Sequence, residues 1–168
     1  MDDTTQDGVV HNPYRTFRFQ IHIDGQPVAG LSKMSALKKT TNAIAWRTGG
    51  DPTHEHKLPG GTSYEPITLE QGLTQDTTFE NWANTVNQRS TGNLVLAGFR
   101  RNLTITVLNL EGKEAIGYKV FRAWVSEYQA LPDLDANSMD AVGIQTITIE
   151  HEGWERDIET VDDQRRKP

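Results

Sequence analysis

The chain contains no cysteine, which removes disulfides and thiolate metal sites from consideration. It has no apolar run approaching the roughly 18 residues of a membrane-spanning helix. Basic residues are in the minority. Seventeen Lys and Arg against 23 Asp and Glu leave a net charge of −6, and the isoelectric point lies near 5.3. A protein that grips phosphate backbones needs a basic surface, so nucleic-acid recognition is disfavoured. Apolar residues are also scarce, at 35% with a mean hydropathy of −0.62, which is low for a self-contained globule. Either much of the chain is loop, or its strands are polar on one face and complete their core in an assembly. The 168 residues are enough for one domain with a proper core. The opening Met1-Asp2-Asp3-Thr4-Thr5-Gln6-Asp7 is acidic and polar, unlike a secretory signal. The expectation is a soluble protein made in the cytoplasm, without a membrane anchor.

What the chain does have is alternation. Phe17, Phe19, Ile21 and Ile23 fall on one face of an extended run, with Arg18, Gln20, His22 and Asp24 on the other. Asp24-Gly25 supplies a turn. A weaker strand over residues 28–37 carries a bulge signal at Gly30. Ile67-Thr68-Leu69 reads as a strand stopped by Gly72. Leu103, Ile105 and Val107 alternate with Thr104 and Thr106, Glu111-Gly112-Lys113 forms a hairpin tip, and residues 115–128 return. Residues 144–151 form the last strand. One helix stands out: Thr77 and Glu80 have capping-box spacing, and Phe79, Trp82, Ala83 and Val86 form its apolar face. Phe79, Trp82 and Val86 are expected to seal a sheet. The pattern predicts a mainly β fold of two packed sheets, as a sandwich or partly open barrel, with one flanking helix. A flexible acidic arm is expected over 1–12, the β domain over 13–154 and a charged tail over 155–168.

The segment from Trp46 to Gly61 is polar and flanked by the pairs Gly49-Gly50 and Gly60-Gly61. Loops of this length are usually functional or disordered. With little to bury against its own domain, it is expected to reach across a subunit boundary, using Gly49, Gly50, Asp51, His54, Glu55, His56, Lys57, Pro59 and Gly60. His54-Glu55-His56 also invites a metal reading. A metal site needs three or four convergent ligands, and His11, His22 and His151 bear no patterned relation to this pair. No Gly-x-Ser-x-Gly elbow or phosphate-cradling glycine motif occurs. Carboxylate pairs such as Glu150/Glu152 are what any acidic sheet surface shows. No catalytic residue, metal or cofactor is therefore expected.

Four pieces in order carry a resemblance that runs from about Asn12 to Asp157. They are Asn12-Pro13-Tyr14-Arg15-Thr16-Phe17-Arg18-Phe19 leading into Ile23-Asp24-Gly25; Trp46-Arg47-Thr48-Gly49-Gly50-Asp51 with Lys57-Leu58-Pro59-Gly60, Tyr64 and residues 67–72; Phe121-Arg122-Ala123-Trp124 with Leu134-Asp135-Ala136; and residues 147–156. Taken together the chain resembles the tail tube protein family of contractile phage tails and extracellular contractile injection systems. The resemblance implies homohexameric rings whose strands pool into one barrel around a lumen. It implies stacking of rings into a tube, a contractile sheath around it, and baseplate, spike and tube-terminating proteins at its ends. The lumen would carry toxin or phage DNA through a target envelope. A type VI-like secreted tube or cargo carrier shares this ring fold and is the alternative. A ligand-binding barrel would instead need a closed apolar pocket.

Overall fold

The computed structural model describes residues 18–50, 53–86, 98–138 and 142–157. The expected acidic arm over 1–12 lies outside these residues. Ten strands and one helix follow in the order β1 (Phe19–Ile23), β2 (Gln26–Val28), β3 (Leu31–Met34), β4 (Lys39–Trp46), β5 (His56–Tyr64), β6 (Ile67–Gly72), α1 (Thr78–Val86), β7 (Arg101–Leu108), β8 (Glu114–Gln129), β9 (Ile144–Glu150) and β10 (Trp154–Asp157). Eight of them form one sheet with the path β2-β1-β7-β8-β9-β6-β3, and β10 pairs with β8 beside that path. Every one of these pairings is antiparallel.

The sixteen-residue β8 is shared by both halves of this sheet. Its first half lies between β7 and β10, and its second half pairs with β9. The fold turns where these halves meet. Arg122 takes a positive φ of 51°, and its N–H donates to the Asn102 side-chain oxygen at 3.1 Å. Across the strand pair, Phe121 N–H donates to the Gly153 carbonyl at 2.9 Å and Glu152 N–H to the Phe121 carbonyl at 3.1 Å. β9 and β10 therefore run end to end along one side of β8, with a corner between them. The alternating apolar residues of both halves meet in one core. Ile21, Ile23, Leu103, Ile105 and Val120 come from one half; Ile67, Leu69, Val125, Ile147 and Ile149 come from the other. This is the two-layer β architecture that the alternation predicts.

β10 was not expected. Glu155, Arg156 and Asp157 were assigned to a charged tail, yet they pair with Lys119, Tyr118 and Gly117. A strand of alternating charge at a sheet margin buries little, so it leaves no hydrophobic period to read.

The helix is where the sequence places it, with two corrections. Thr77 holds the cap position, its carbonyl accepting from the Asn81 N–H at 2.8 Å, but the side-chain cap comes from Asp76, whose carboxylate accepts from the Thr78 N–H at 3.0 Å and the Thr78 hydroxyl at 2.6 Å. Asp is as good a cap as Thr and sits one residue earlier. Phe79 and Trp82 are fully buried, but Val86 is 38% exposed and does not seal the sheet. It lies at the last helical position, beyond the reach of the core. Trp82 anchors the helix twice, by its buried ring and by its indole N–H donating to the Phe99 carbonyl at 2.9 Å.

One polar group of the core is assembled across strands. Gln71 and Gln145 are buried register partners on β6 and β9. The Gln145 side-chain amide donates to the Gln71 side-chain oxygen, and Gln71 in turn donates to the Ala29 carbonyl. The Tyr128 hydroxyl donates to the Gln145 side-chain oxygen at 3.1 Å. Burial, with a smaller contribution from Glu80, raises the Tyr128 pKa above its ordinary value. Buried amides joined this way avoid the desolvation penalty of unpaired ones.

Two outcomes follow for stability. Trp82→Ala should cost about 3–5 kcal/mol, from lost burial and an orphaned Phe99 carbonyl; denaturant unfolding measures it, and an unchanged midpoint would show that the helix packs elsewhere. At the corner, Glu152 pairs with Arg100 and, at 2.7 Å, with Arg122, but all three side chains are over a third exposed. Such pairs are worth about 0–1 kcal/mol. Gly153 has φ +141°, and an added Cβ would lie 3.2 Å from the Tyr64 ring. Gly153→Ala should therefore destabilise by about 1–3 kcal/mol, more than Glu152→Ala does. The reverse order in chemical unfolding would mean that charge, not backbone geometry, holds the corner.

Candidate assembly surface

The latter part of the segment singled out as a long polar loop, from His56 on, is strand. β4 and β5 pair only with each other, from Lys39 opposite Tyr64 to Trp46 opposite His56. His56, Lys57, Pro59 and Gly60 thus belong to β5 and not to a free loop, which shrinks to the connection between Trp46 and His56. Gly49, Gly50, His54 and Glu55 lie in that connection and are exposed; Asp51 lies outside the described residues. Gly60-Gly61 does not release the chain from a sheet. It sits where the register slips between Thr41 and Ala43, a bulge in which the strands approach closely. A Cβ on Gly60 would lie 3.1 Å from the Asn42 carbonyl and from the Ile44 side chain. A glycine pair inside a bulged strand and one ending a strand look the same in sequence, which is why the strand was missed.

Every residue of β4 is exposed, and in β5 only Gly60 and Tyr64 are even partly covered. Eight residues at about 3.4 Å each make a projecting arm of roughly 27 Å. Its two faces differ. Ile44 faces Leu58 and Trp46 faces His56 across the strands, so these four share one face. Ile44, Trp46 and Leu58 are 54%, 44% and 51% exposed. The His56 ring stacks on Trp46 with centroids 5.0 Å apart. The extended character of residues 43–47 is legible in the sequence and β4 bears it out; the stripe emerges only once β5 sets Leu58 opposite Ile44.

The base of the arm is fixed to the body. Glu65 N–H donates to the Lys38 carbonyl at 3.1 Å, and the two side chains pair at 2.8 Å. Hydrogen bonding to Glu65 holds the Lys38 ammonium pKa above its usual value. His151 bonds through Nε2 to the Glu65 carbonyl at 2.9 Å, and its ring meets Tyr64 at 5.7 Å. The arm therefore leaves the body beside the corner of β8.

His54 of the connection and His56 of β5 have partners close by. His54 Nδ1 lies 3.0 Å from the Thr53 hydroxyl, and His56 is engaged by Trp46. Among the described residues no three His, Asp or Glu side chains converge on a common point. Arg100 and Arg101, a basic pair at the start of β7, turn to Glu152 and Asp24. Trp124 and Tyr128 are half-buried, with Trp124 edge-on to Phe99 at 6.5 Å. No helix among the described residues is long and apolar enough to cross a membrane. The distinctive surface of this molecule is the arm, and its chemistry is that of contact.

Residues 15–155 match the sequence profile of the family described as T4-like virus tail tube protein gp19. No curated protein matches the chain in sequence. In fold it is similar to a chain of the anti-feeding prophage cap, the tube-terminating cap, with 22% identity over 94% of this chain and 99% of that one and a TM-score of 0.75. A chain of the sheath–tube complex of an extracellular contractile injection system, PVC, in its extended state is 21% identical over 88% and 93%, with a TM-score of 0.72. Hcp1 from Flavobacterium johnsoniae is more distant, at 14% identity over 82% and 93% and a TM-score of 0.52. The family match spans both halves of the sheet, the helix and the whole arm, so the chain belongs to the T4-like virus tail tube protein family and is a structural subunit of a tube.

Proposed function

We infer that this subunit builds the inner tube of a contractile injection system or contractile phage tail. Copies close into hexameric rings, and the rings stack around a lumen that carries toxin or DNA. The observation that carries this reading is the arm: two exposed strands with an apolar stripe that nothing among the described residues covers. An isolated two-stranded hairpin is marginal in water, so the arm is completed by another copy. Residues 49–63, including Gly49, Gly50, His54, Glu55, His56, Lys57, Pro59 and Gly60, then serve as an inter-subunit connector. Similar chains occur in a six-fold symmetrised baseplate, a sheath–tube complex and a sheath/tube terminator. By that analogy this subunit meets a contractile sheath along its outside and baseplate and terminating proteins at its ends.

The protein works without chemistry of its own, cofactor or metal. It is made and assembled in the cytoplasm and leaves as part of a particle. A type VI-like secreted tube is the second reading, and the weaker likeness to Hcp1 favours the first.

Replacing residues 42–60 by a two-residue Asn-Gly turn removes the arm above the bulge. The β body should keep its circular dichroism and melting temperature, while ring and tube formation falls sharply in sedimentation and negative-stain microscopy. Normal tubes from the shortened chain would show that the arm is not the connector; loss of the folded body would show that the arm is part of the core. Treating the intact protein with a chelator should change neither melting nor assembly. A stoichiometric metal lost on His54→Ala and His56→Ala would reopen the enzyme reading.

A further inference from the structure

His151 follows β9 at the corner and bonds to the base of the arm, yet its ring is only half satisfied. Nε2 lies 2.9 Å from the Glu65 carbonyl. A carbonyl can only accept, so Nε2 carries the hydrogen and the neutral ring keeps its lone pair on Nδ1. Nδ1 is buried and has no partner among the described residues. Trp154, three residues on, holds a second buried and unpartnered nitrogen, Nε1. An indole N–H only donates, so it offers His151 no acceptor.

The Glu65 bond matters because β4 and β5 pair with no other strand, so the direction of the arm is set where it joins the body. There the Glu65 N–H donates to the Lys38 carbonyl at 3.1 Å and the Ser35 N–H to the Thr68 carbonyl at 2.9 Å. The Thr68 N–H answers with a bond to the Ser35 hydroxyl at 2.8 Å. Among these contacts only that of His151 can change charge near neutrality, since imidazole takes up a proton between about pH 5 and 8. A second proton goes to Nδ1, where it meets neither water nor an acceptor. The two carboxylates that could answer an imidazolium are taken: Glu65 pairs with Lys38, and Glu152 is shared by Arg100 and Arg122. Glu150 stands opposite Trp124 on the other face of β9, Lys39 stands opposite Tyr64, and Lys119, opposite Glu155 of β10, pairs with Asp157. A charged ring therefore finds a partner for Nδ1 only by turning it out to water, and that turn breaks the Glu65 bond.

We propose that His151 is a proton-operated latch on the base of the arm: the neutral ring holds the Glu65 carbonyl and fixes the direction of the arm, and the charged ring releases it. The hold is complete with the ring neutral and weakens as pH falls. Tubes assembled near neutrality then loosen in acid. That last consequence rests on the arm being the inter-subunit connector, whereas the latch itself is a property of the single chain.

The test uses the full chain below its assembly concentration. Hydrogen exchange, corrected for the intrinsic rate, is compared between about pH 7.5 and about pH 5.5, on either side of the imidazole range. It is read at the Glu65 amide, with the amides of β6 and β9 as internal reference. Protection at Glu65 should fall by about tenfold or more in acid while the reference holds. His151→Gln keeps an N–H that can reach the carbonyl and does not titrate, so its protection should be the same at both pH values. His151→Ala should be weakly protected at both. A pH-dependent loss that survives in either variant belongs to another group and overturns the latch. NMR of the histidine ring nitrogens gives a readout that no substitution disturbs. Nδ1 should take up its proton over the same pH range in which Glu65 loses protection, and a charged ring with Glu65 still protected overturns the latch as well. Tubes formed near neutrality should come apart in acid for the parent chain and persist for His151→Gln. Parent tubes that survive in acid although Glu65 is released would show that the latch does not govern assembly. A parent chain that forms no tubes near neutrality counts against the tube reading, and the exchange and NMR still decide the latch.

Discussion

Everything in this molecule depends on one strand being asked to serve two sheets. β8 runs sixteen residues, close to three times an ordinary strand, and a flat strand of that length could bury only one apolar face. The turn at Arg122, matched across the pair by Gly153, lets the two halves of the sheet contribute to one core. The corner also locates the arm. Glu65 and Tyr64, its last residues, are held by His151 of the β9–β10 connection, so the geometry that closes the core fixes where the arm departs. Salt bridges decorate this corner but contribute little on their own, since their members are largely in water.

The low apolar fraction has a structural explanation. It does not reflect a chain that is mostly loop, because strands take up more than half of the described residues. The core draws on fourteen buried apolar side chains with eight more partly buried against it, while Ile44, Trp46 and Leu58 of the arm and Leu73, Leu110, Leu131 and Leu134 stay largely exposed. Apolar surface withheld from the subunit is available to an assembly, and its burial is worth roughly 25 cal/mol for each Å² removed from water.

How much of this could be read in the sequence depended on whether a residue's job was periodic. Strands whose inner residues enter the core announced themselves, as with Ile21 and Ile23 or Leu103 and Ile105. The helix did so through Phe79 and Trp82. β5 of the arm did not, because a strand with both faces exposed is under no pressure to alternate, and Gly60-Gly61 and Pro59 within it imitate loop punctuation. β10 was hidden for the same reason. Its Glu155, Arg156 and Asp157 earn their places through backbone pairing, which leaves no mark on side-chain choice. Val86 shows the opposite error: a correct helical period continued one position past the core. The buried Gln71 and Gln145 were invisible because polar residues at inward positions are recognisable only once their partners across the sheet are known. A stretch with nothing to bury in its own domain is a candidate for contact whether it is loop or strand.

The sheet margins carry the argument one step further. The path of the large sheet ends in β2 and β3, of three and four residues; β2 contains Pro27, and β3 has a register break between Leu31 and Lys33. Short, interrupted edges protect a free subunit from random strand pairing. They also make any strand-to-strand seam between neighbouring subunits weak, since a ladder of a few residues cannot repay the entropy of docking. A tube built from such subunits cannot rely on its seams alone. On the proposed reading the arm supplies what the edges withhold, an apolar contact with another copy. Lateral closure and arm contact then depend on each other, because each holds in place the subunits that the other needs.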